Sequence, residues 1–131
     1  MKSPSFADIQ SMLKKIAIIV AAGKGLRLGE SLPKQFLILA GKPVLHWSIQ
    51  RFVEAGAEVM VVLHSSMQDY WKQLSWEHQT PNHRCVIGGE ERYHSVKNAI
   101  DALEDQSAVV AIHDAARPNI SSELIQALFE I

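Results

Sequence analysis

Three groups of residues in this sequence have the types and spacing to handle phosphates. The first is Ala21-Ala22-Gly23-Lys24-Gly25-Leu26-Arg27, followed shortly by Pro33-Lys34-Gln35. Two glycines one residue apart permit positive φ and leave no Cβ between backbone and ligand. Consecutive amides in such a turn can converge on an anion. Arg27 and Lys34 add fixed positive charge, and Pro33, with its φ set, helps to aim Lys34. The second group is Gly88-Gly89-Glu90-Glu91-Arg92, with Ser95 close behind. Its glycines let main-chain N–H and C=O groups approach a flat ligand and read the edge of a base. Ser95, near the start of a helix, suits a sugar or phosphate oxygen and suits plain capping equally well. The third is His113-Asp114-Ala115-Ala116-Arg117-Pro118. Asp114 follows a strand, and a carboxylate together with phosphate oxygens is the usual way of holding Mg²⁺. Asp114 also has a simpler reading, as a turn residue or a partner of Arg117. His113 reads as structural.

These groups do not match the better-known phosphate loops. Leu28 stands where the dinucleotide fingerprint needs its third small residue, and no glycine is followed by the Walker A pattern. On spacing alone, the first loop is either a tight turn or a ligand loop.

The elements that must position these residues alternate. Ile16 to Ala21 is a short, β-branched, unbroken apolar run, the pattern of a strand buried on both faces. Phe36 to Leu39 is a brief apolar segment and Ala40 to Pro43 a turn, with Pro43 placed at the first position of a helix. Val44, Leu45, Trp47, Ile49, Phe52 and Val53 make a helical stripe that Gly56 stops, and His46 reads as a partly exposed helix residue. A second strand, Val59 to Leu63, precedes a helix from Met67 to about Gln79, capped by Ser65 or Ser66. Tyr70, Trp71, Leu74 and Trp76 form its apolar face. Arg84 to Ile87 is a third strand. Ser95 to Leu103 is a third helix, with Val96, Ala99, Ile100 and Leu103 on one side. Ala108 to Ile112 is a fourth strand, and Ser121 or Ser122 can cap a last helix from Glu123 onward. This alternation predicts βαβ units and a parallel, doubly wound sheet. Ligands of such sheets bind at the carboxyl ends of the strands. All three groups fall along that edge, which favours one shared site.

Composition narrows the classes. The 131 residues are enough for one domain, and 47% are hydrophobic. A net charge of −1 gives no reason to expect nucleic acid or an anionic membrane as partner. No apolar run is long enough to span a bilayer, and Asp8 and Gln10 interrupt the place of a signal-peptide core, so the expectation is a cytoplasmic protein. The single cysteine excludes an internal disulfide and a cysteine-built zinc site. Cys85, among apolar neighbours, reads as a buried structural thiol. Residues 1–14 form a polar leader in which Phe6, Ile9 and Leu13 have roughly helical spacing, and residues 15–131 form the domain.

Taken together, Ala21-Ala22-Gly23-x-Gly25-x-Arg27-Leu28, Pro33-Lys34-Gln35, Gly88-Gly89-Glu90-Glu91-Arg92-x-x-Ser95-Val96 and His113-Asp114-Ala115-Ala116-Arg117-Pro118 resemble the 2-C-methyl-D-erythritol 4-phosphate cytidylyltransferases over residues 15–131. The resemblance implies a Rossmann-like three-layer sandwich with a mostly parallel sheet, of the nucleotide-diphospho-sugar transferase type. It implies transfer of CMP from CTP to a polyol phosphate in non-mevalonate isoprenoid biosynthesis, with Mg²⁺ as cofactor and a homodimer at full length. It places Ala21, Ala22, Gly23 and Gly25 along the triphosphate loop, and gives Arg27 and Lys34 the charge that builds on the α-phosphate. Gly89, Glu90 and Ser95 match the cytosine and ribose site, Arg92 belongs to the same loop, and Ala115 joins the nucleotide-binding set. Asp114 matches the metal carboxylate. The sequence departs from the family in length, stopping at Leu128-Phe129-Glu130-Ile131. The expectation is a truncated chain holding the CTP half, with low activity by itself. Ribitol-5-phosphate cytidylyltransferases share that half, and a non-catalytic CTP-binding module is the alternative from another class.

Overall fold

The computed structural model describes residues 3, 5, 14–21, 33–89, 91–103 and 108–114. Four strands, β1 (Lys14–Val20), β4 (Glu58–Leu63), β5 (Arg84–Ile87) and β6 (Ala108–Asp114), form one sheet in the order β5-β4-β1-β6. Every pairing in it is parallel. A two-residue pair, β2 (Ile38–Leu39) with β3 (Lys42–Pro43), makes a separate antiparallel hairpin. Three helices connect the large strands: α1 (Val44–Glu54), α2 (Gln68–Glu77) and α3 (Arg92–Asp101).

β1 is central because both its faces are apolar. Ala17 and Ile19 face a core built with Val59, Val61, Leu63, Leu45, Ile49, Phe52, Phe36 and Trp71. Ile16, Ile18 and Val20 face a second core with Met60, Val62 and Ala99. Burying a side chain of this size stabilises by about 1.5–3 kcal/mol, so alternating residues of one strand hold helices against both sides. The doubly wound sheet expected from the strand–helix alternation, and the three layers implied by the resemblance, are thus observed.

Turn chemistry follows the backbone. Ala40 and Gly41 both have positive φ (50° and 84°) between β2 and β3, as a two-residue hairpin of the favoured twist requires. The last turn of α1 closes by Gly56 N–H to the Val53 carbonyl and Ala57 N–H to the Phe52 carbonyl, with Gly56 at φ 84°. This is the glycine-ended helix stop anticipated at that position. α2 ends the same way, by Gln79 N–H to Trp76 and Thr80 N–H to Ser75, but with Gln79 at φ 53° in the glycine place.

Several local expectations are corrected. β1 opens at Lys14, the last residue assigned to the leader. Pro43 is the residue before α1 rather than its first, since it pairs with Ile38 in β3. His46 is 3% exposed, because α1 buries Leu45, His46, Ser48, Ile49 and Phe52, leaving Val53 at its margin. Neither Ser65 nor Ser66 caps α2; His64 Nδ1 accepts the Ser66 amide at 3.1 Å and opens the short 3-10 turn Ser65–Met67 instead. Trp76 is 77% exposed, on the face of α2 opposite the core-packed Leu74. α3 begins three residues earlier than expected, at Arg92, and Ile100 lies exposed beside its buried Ser95 and Ala99. Cys85 is exposed, not buried, because β5 is an edge of the described sheet.

Candidate functional site

The sheet order reverses at β1. The chain runs outward through β4 and β5, then returns to the opposite side of β1 as β6. Where the order of a doubly wound sheet reverses, the connecting loops diverge and leave a crevice at the carboxyl ends. Here the reversal point is marked by Val20 and Asp114, which are direct partners in the β1–β6 register. Asp114 is exposed while Val20 beside it is buried.

The loop after β1 carries Ala22, Gly23, Gly25 and Arg27, and these lie outside the described residues, as do Glu90 and Ala115. The two ends of the first loop are described. Ala21 continues the ladder by donating its N–H to the Val62 carbonyl at 2.9 Å. The carbonyl of Ala21 accepts the side-chain amide of Gln35 at 2.9 Å. Gln35 sits in the 3-10 turn Lys34–Phe36, closed by Phe36 N–H to Pro33 O and Leu37 N–H to Lys34 O. Phe36, 1% exposed, drives the other end of this turn into the core. Lys34 is therefore an exposed cation on a turn tied to the end of β1. The tether itself was missed: Gln35 carried no role in the sequence reading.

Amide side chains recur along this edge. Gln68, opening α2, donates to the carbonyls of Leu63 and Val86 at 3.1 and 3.3 Å. Asn98 of α3 donates to the Ile87 carbonyl at 3.1 Å. Carbonyls at the carboxyl ends of parallel strands run out of ladder partners, and an unpaired one costs free energy when buried. Three amides supply donors at the ends of β1, β4 and β5, at Leu63 in addition to a ladder N–H. A lone Gln or Asn after a strand has no periodicity to signal this.

The second loop is more tightly built than the sequence suggested. Gly88 N–H donates to the Leu63 carbonyl at 2.8 Å, extending the β5–β4 ladder. Gly89 N–H donates to Ser95 Oγ at 3.1 Å. A Cβ on Gly89 would fall on the Cβ of His94, so the close approach that demands glycine here is to α3. Ser95, 1% exposed, sits within the first turn of α3 and fastens the loop to it; the cap position belongs to Glu91. Arg92 is exposed at the first position of that helix. His113 lies in β6 with its ring 5.4 Å from Phe52, edge-on, as a structural residue would.

The residues brought to one edge are thus Ala21, Lys34, Gly89, Arg92, Ser95 and Asp114, although they come from four separate parts of the chain. The described residues contain no group of three or more His, Cys, Asp or Glu able to hold a metal by themselves. A groove of about 700 Å³ runs along α2 and the loop before β5, and none of these residues lines it. No described helix is long and apolar enough to cross a membrane.

The described strands make a doubly wound, all-parallel sheet with helices on both faces, which defines a Rossmann-like α/β domain. Within that class the chain belongs to the 2-C-methyl-D-erythritol 4-phosphate cytidylyltransferase family, whose model matches residues 15–131. The family member from Bacteroides thetaiotaomicron is 44% identical over 122 residues, spanning 91% of this chain and 55% of that protein. One from Caldanaerobacter subterraneus is 41% identical over 113 residues, spanning 83% and 50%. The solved 4-diphosphocytidyl-2C-methyl-D-erythritol synthase of Anaerococcus prevotii superposes with a TM-score of 0.69 at 27% identity, covering 87% of this chain and 48% of that one. The chain spans about half the length of the curated relatives it matches.

Proposed function

We propose that this chain is the nucleotide-holding part of a cytidylyltransferase that transfers CMP from CTP to 2-C-methyl-D-erythritol 4-phosphate, releasing pyrophosphate. The observation that carries this reading is the placement of Lys34 on a turn tethered to the end of β1, the strand whose last residue pairs with Asp114. Family membership over residues 15–131 supplies the substrates.

The acceptor's phosphate is already an anionic nucleophile, so the reaction needs positioning and charge stabilisation more than a general base. Lys34 and Arg27 would take the negative charge that grows on the α-phosphate oxygens. Gly23 and Gly25, with Ala21 and Ala22, would let the loop backbone lie against the triphosphate. Gly89, Glu90, Arg92, Ser95 and Ala115 would frame the cytidine. In this scheme Ser95 acts by holding the Gly88-Gly89 backbone in place, because its Oγ already accepts the Gly89 amide.

The exposed carboxylate of Asp114 suits Mg²⁺, which is commonly held by one or two carboxylates with substrate phosphates and water completing the shell. Asp114 is the residue that would hold it. When bound, the ion supplies charge neutralisation on the phosphates and the departing pyrophosphate. The same reading takes the family-length form to be a cytoplasmic homodimer.

The test is pyrophosphate release from CTP and Mg²⁺, with methylerythritol 4-phosphate or ribitol 5-phosphate as acceptor, on this chain and on one extended to family length. Release with the first acceptor alone supports the proposal, and release with the second alone reassigns the acceptor. CTP binding without release from either chain would leave a binding module. Lys34→Ala should lower turnover far more than CTP affinity, whereas equal losses would contradict the role given to Lys34.

A further inference from the structure

The turn that presents Lys34 is braced from behind. Phe36, two residues on, meets Tyr70 edge-on with centroids 5.2 Å apart and Trp71 at 5.9 Å. Trp71 is fully buried, so its indole N–H must find an acceptor inside the protein. That acceptor is His83 Nε2, at 2.9 Å. The other ring nitrogen, Nδ1, lies 2.7 Å from the Pro81 carbonyl. A carbonyl only accepts, so Nδ1 carries the proton and Nε2 offers its lone pair to the indole. Both partners therefore require the same neutral tautomer. A proton on Nε2 would set it against the indole N–H, two donors with no acceptor between them.

These contacts form a line from the loop before β5 to the carboxyl edge: Pro81, His83, Trp71, Phe36, Lys34. The last link is stiff, because Lys34 and Phe36 belong to one hydrogen-bonded 3-10 turn. We infer that His83 is a positioning residue for Lys34, its neutral ring holding the Trp71 indole against which Phe36 seats the Lys34 turn. The inference deepens the cytidylyltransferase reading and rests on it for what Lys34 does.

Burial lowers the His83 pKa below its ordinary 6.5, which keeps the required neutral form at neutral pH. The titratable groups lining the same groove are Asp69, Lys72 and Glu77 of α2 and Cys85 of β5. A drop in pH that protonates His83 would turn the indole away and free the Phe36 end of the turn.

The test follows backbone amides and histidine rings of the isotopically labelled chain by NMR through a pH titration. The amides of Lys34, Gln35 and Phe36 are expected to shift with the same midpoint as the His83 ring, below 6.5. His83→Gln, whose carbonyl oxygen replaces Nε2 as an uncharged acceptor, should erase that step while His46 still titrates. His83→Ala should displace the three amides at every pH. Amides that ignore the His83 titration overturn the inference. In the family-length chain, His83→Ala should lower turnover about tenfold with little change in KM for CTP, and His83→Gln should restore it. On a Lys34→Ala background the loss should disappear, since His83 acts through Lys34. An undiminished loss there would make His83 merely structural and overturn the inference. A wild-type family-length chain that releases no pyrophosphate defeats the cytidylyltransferase reading instead, and the amide titration still decides the relay.

Discussion

Asp114 stands directly opposite Val20 in the parallel pairing of β6 with β1, at the point where the sheet changes direction. The carboxylate is exposed and the strand beneath it is buried, so substitution there changes charge without opening the core. If Asp114 holds Mg²⁺ with CTP, Asp114→Asn should weaken CTP binding about tenfold in Mg²⁺ and leave it unchanged in EDTA. Calorimetric titration under both conditions checks this. Equal affinities in Mg²⁺ would remove Asp114 from the metal site.

Gln35→Leu should separate positioning from charge. The change keeps Lys34 and Phe36 but leaves the Ala21 carbonyl without its amide partner. A lost hydrogen bond of this kind costs about 1 kcal/mol, or roughly 3–5 °C in Tm for a chain of this size. Turnover should fall as well, because the Lys34 turn would be held by Phe36 alone. Thermal unfolding together with pyrophosphate release tests both halves.

Stability should depend on pH through two histidines. His46 is buried, with Nδ1 2.8 Å from Thr80 Oγ1 and Nε2 3.2 Å from Gln50 Oε1. Burial first, then the nearby charge of Lys42, lowers its pKa, opposed by the Gln50 bond and assisted by His78. The His83 pKa is lowered too, by burial against the opposing bond to Pro81. Above 6.5 both rings are neutral whether the chain is folded or unfolded, and stability is full. As pH falls below 6.5 the unfolded chain takes up protons that the folded chain resists, so stability declines until the folded pKa values are passed and then levels off. Denaturant midpoints measured across this range should fall with pH, and His46→Gln should flatten part of the slope.

Gln79→Gly should stabilise the chain. Gln79 holds φ 53° where α2 ends, a conformation that costs a residue with a Cβ roughly 1 kcal/mol relative to glycine. Its backbone bonds to Trp76 and Thr80's bond to Ser75 are kept by the substitution. A rise in the denaturant midpoint is expected, and a fall would mean that the Gln79 side chain contributes more than its strained backbone costs.

How far the sequence reveals this structure depends on the kind of signal each residue carries. The run Ile16 to Ala21 announced a strand buried on both faces because no polar residue interrupts it, and the strand–helix alternation then implied a parallel sheet with its loops on one edge. Gly56 announced the end of α1 for an equally local reason. Cys85 misled, because apolar neighbours do not tell an edge strand from a central one; it lies on the outer strand of the described sheet and is exposed. His46 misled because its burial depends on Thr80, which packs there only once α2 has ended. The roles of Gln35 and Ser95 were hidden for the same reason. Each uses a polar group on a backbone atom distant in sequence, and no periodicity records such a partnership.

The pairing of β1 with β6 has a consequence for how the protein comes into being. Ile16 meets Glu58 across one side of β1 and Val110 across the other, so the second closure spans more than twice the length of chain. Each doubling of a loop adds only about 0.6 kcal/mol in entropy, but distant parallel contacts form slowly. During synthesis, β1, α1 and β4 can associate while β6 has yet to leave the ribosome. The edge that carries Asp114 therefore forms only after β6 arrives, and the nascent chain passes through a stage with part of its core but without that edge.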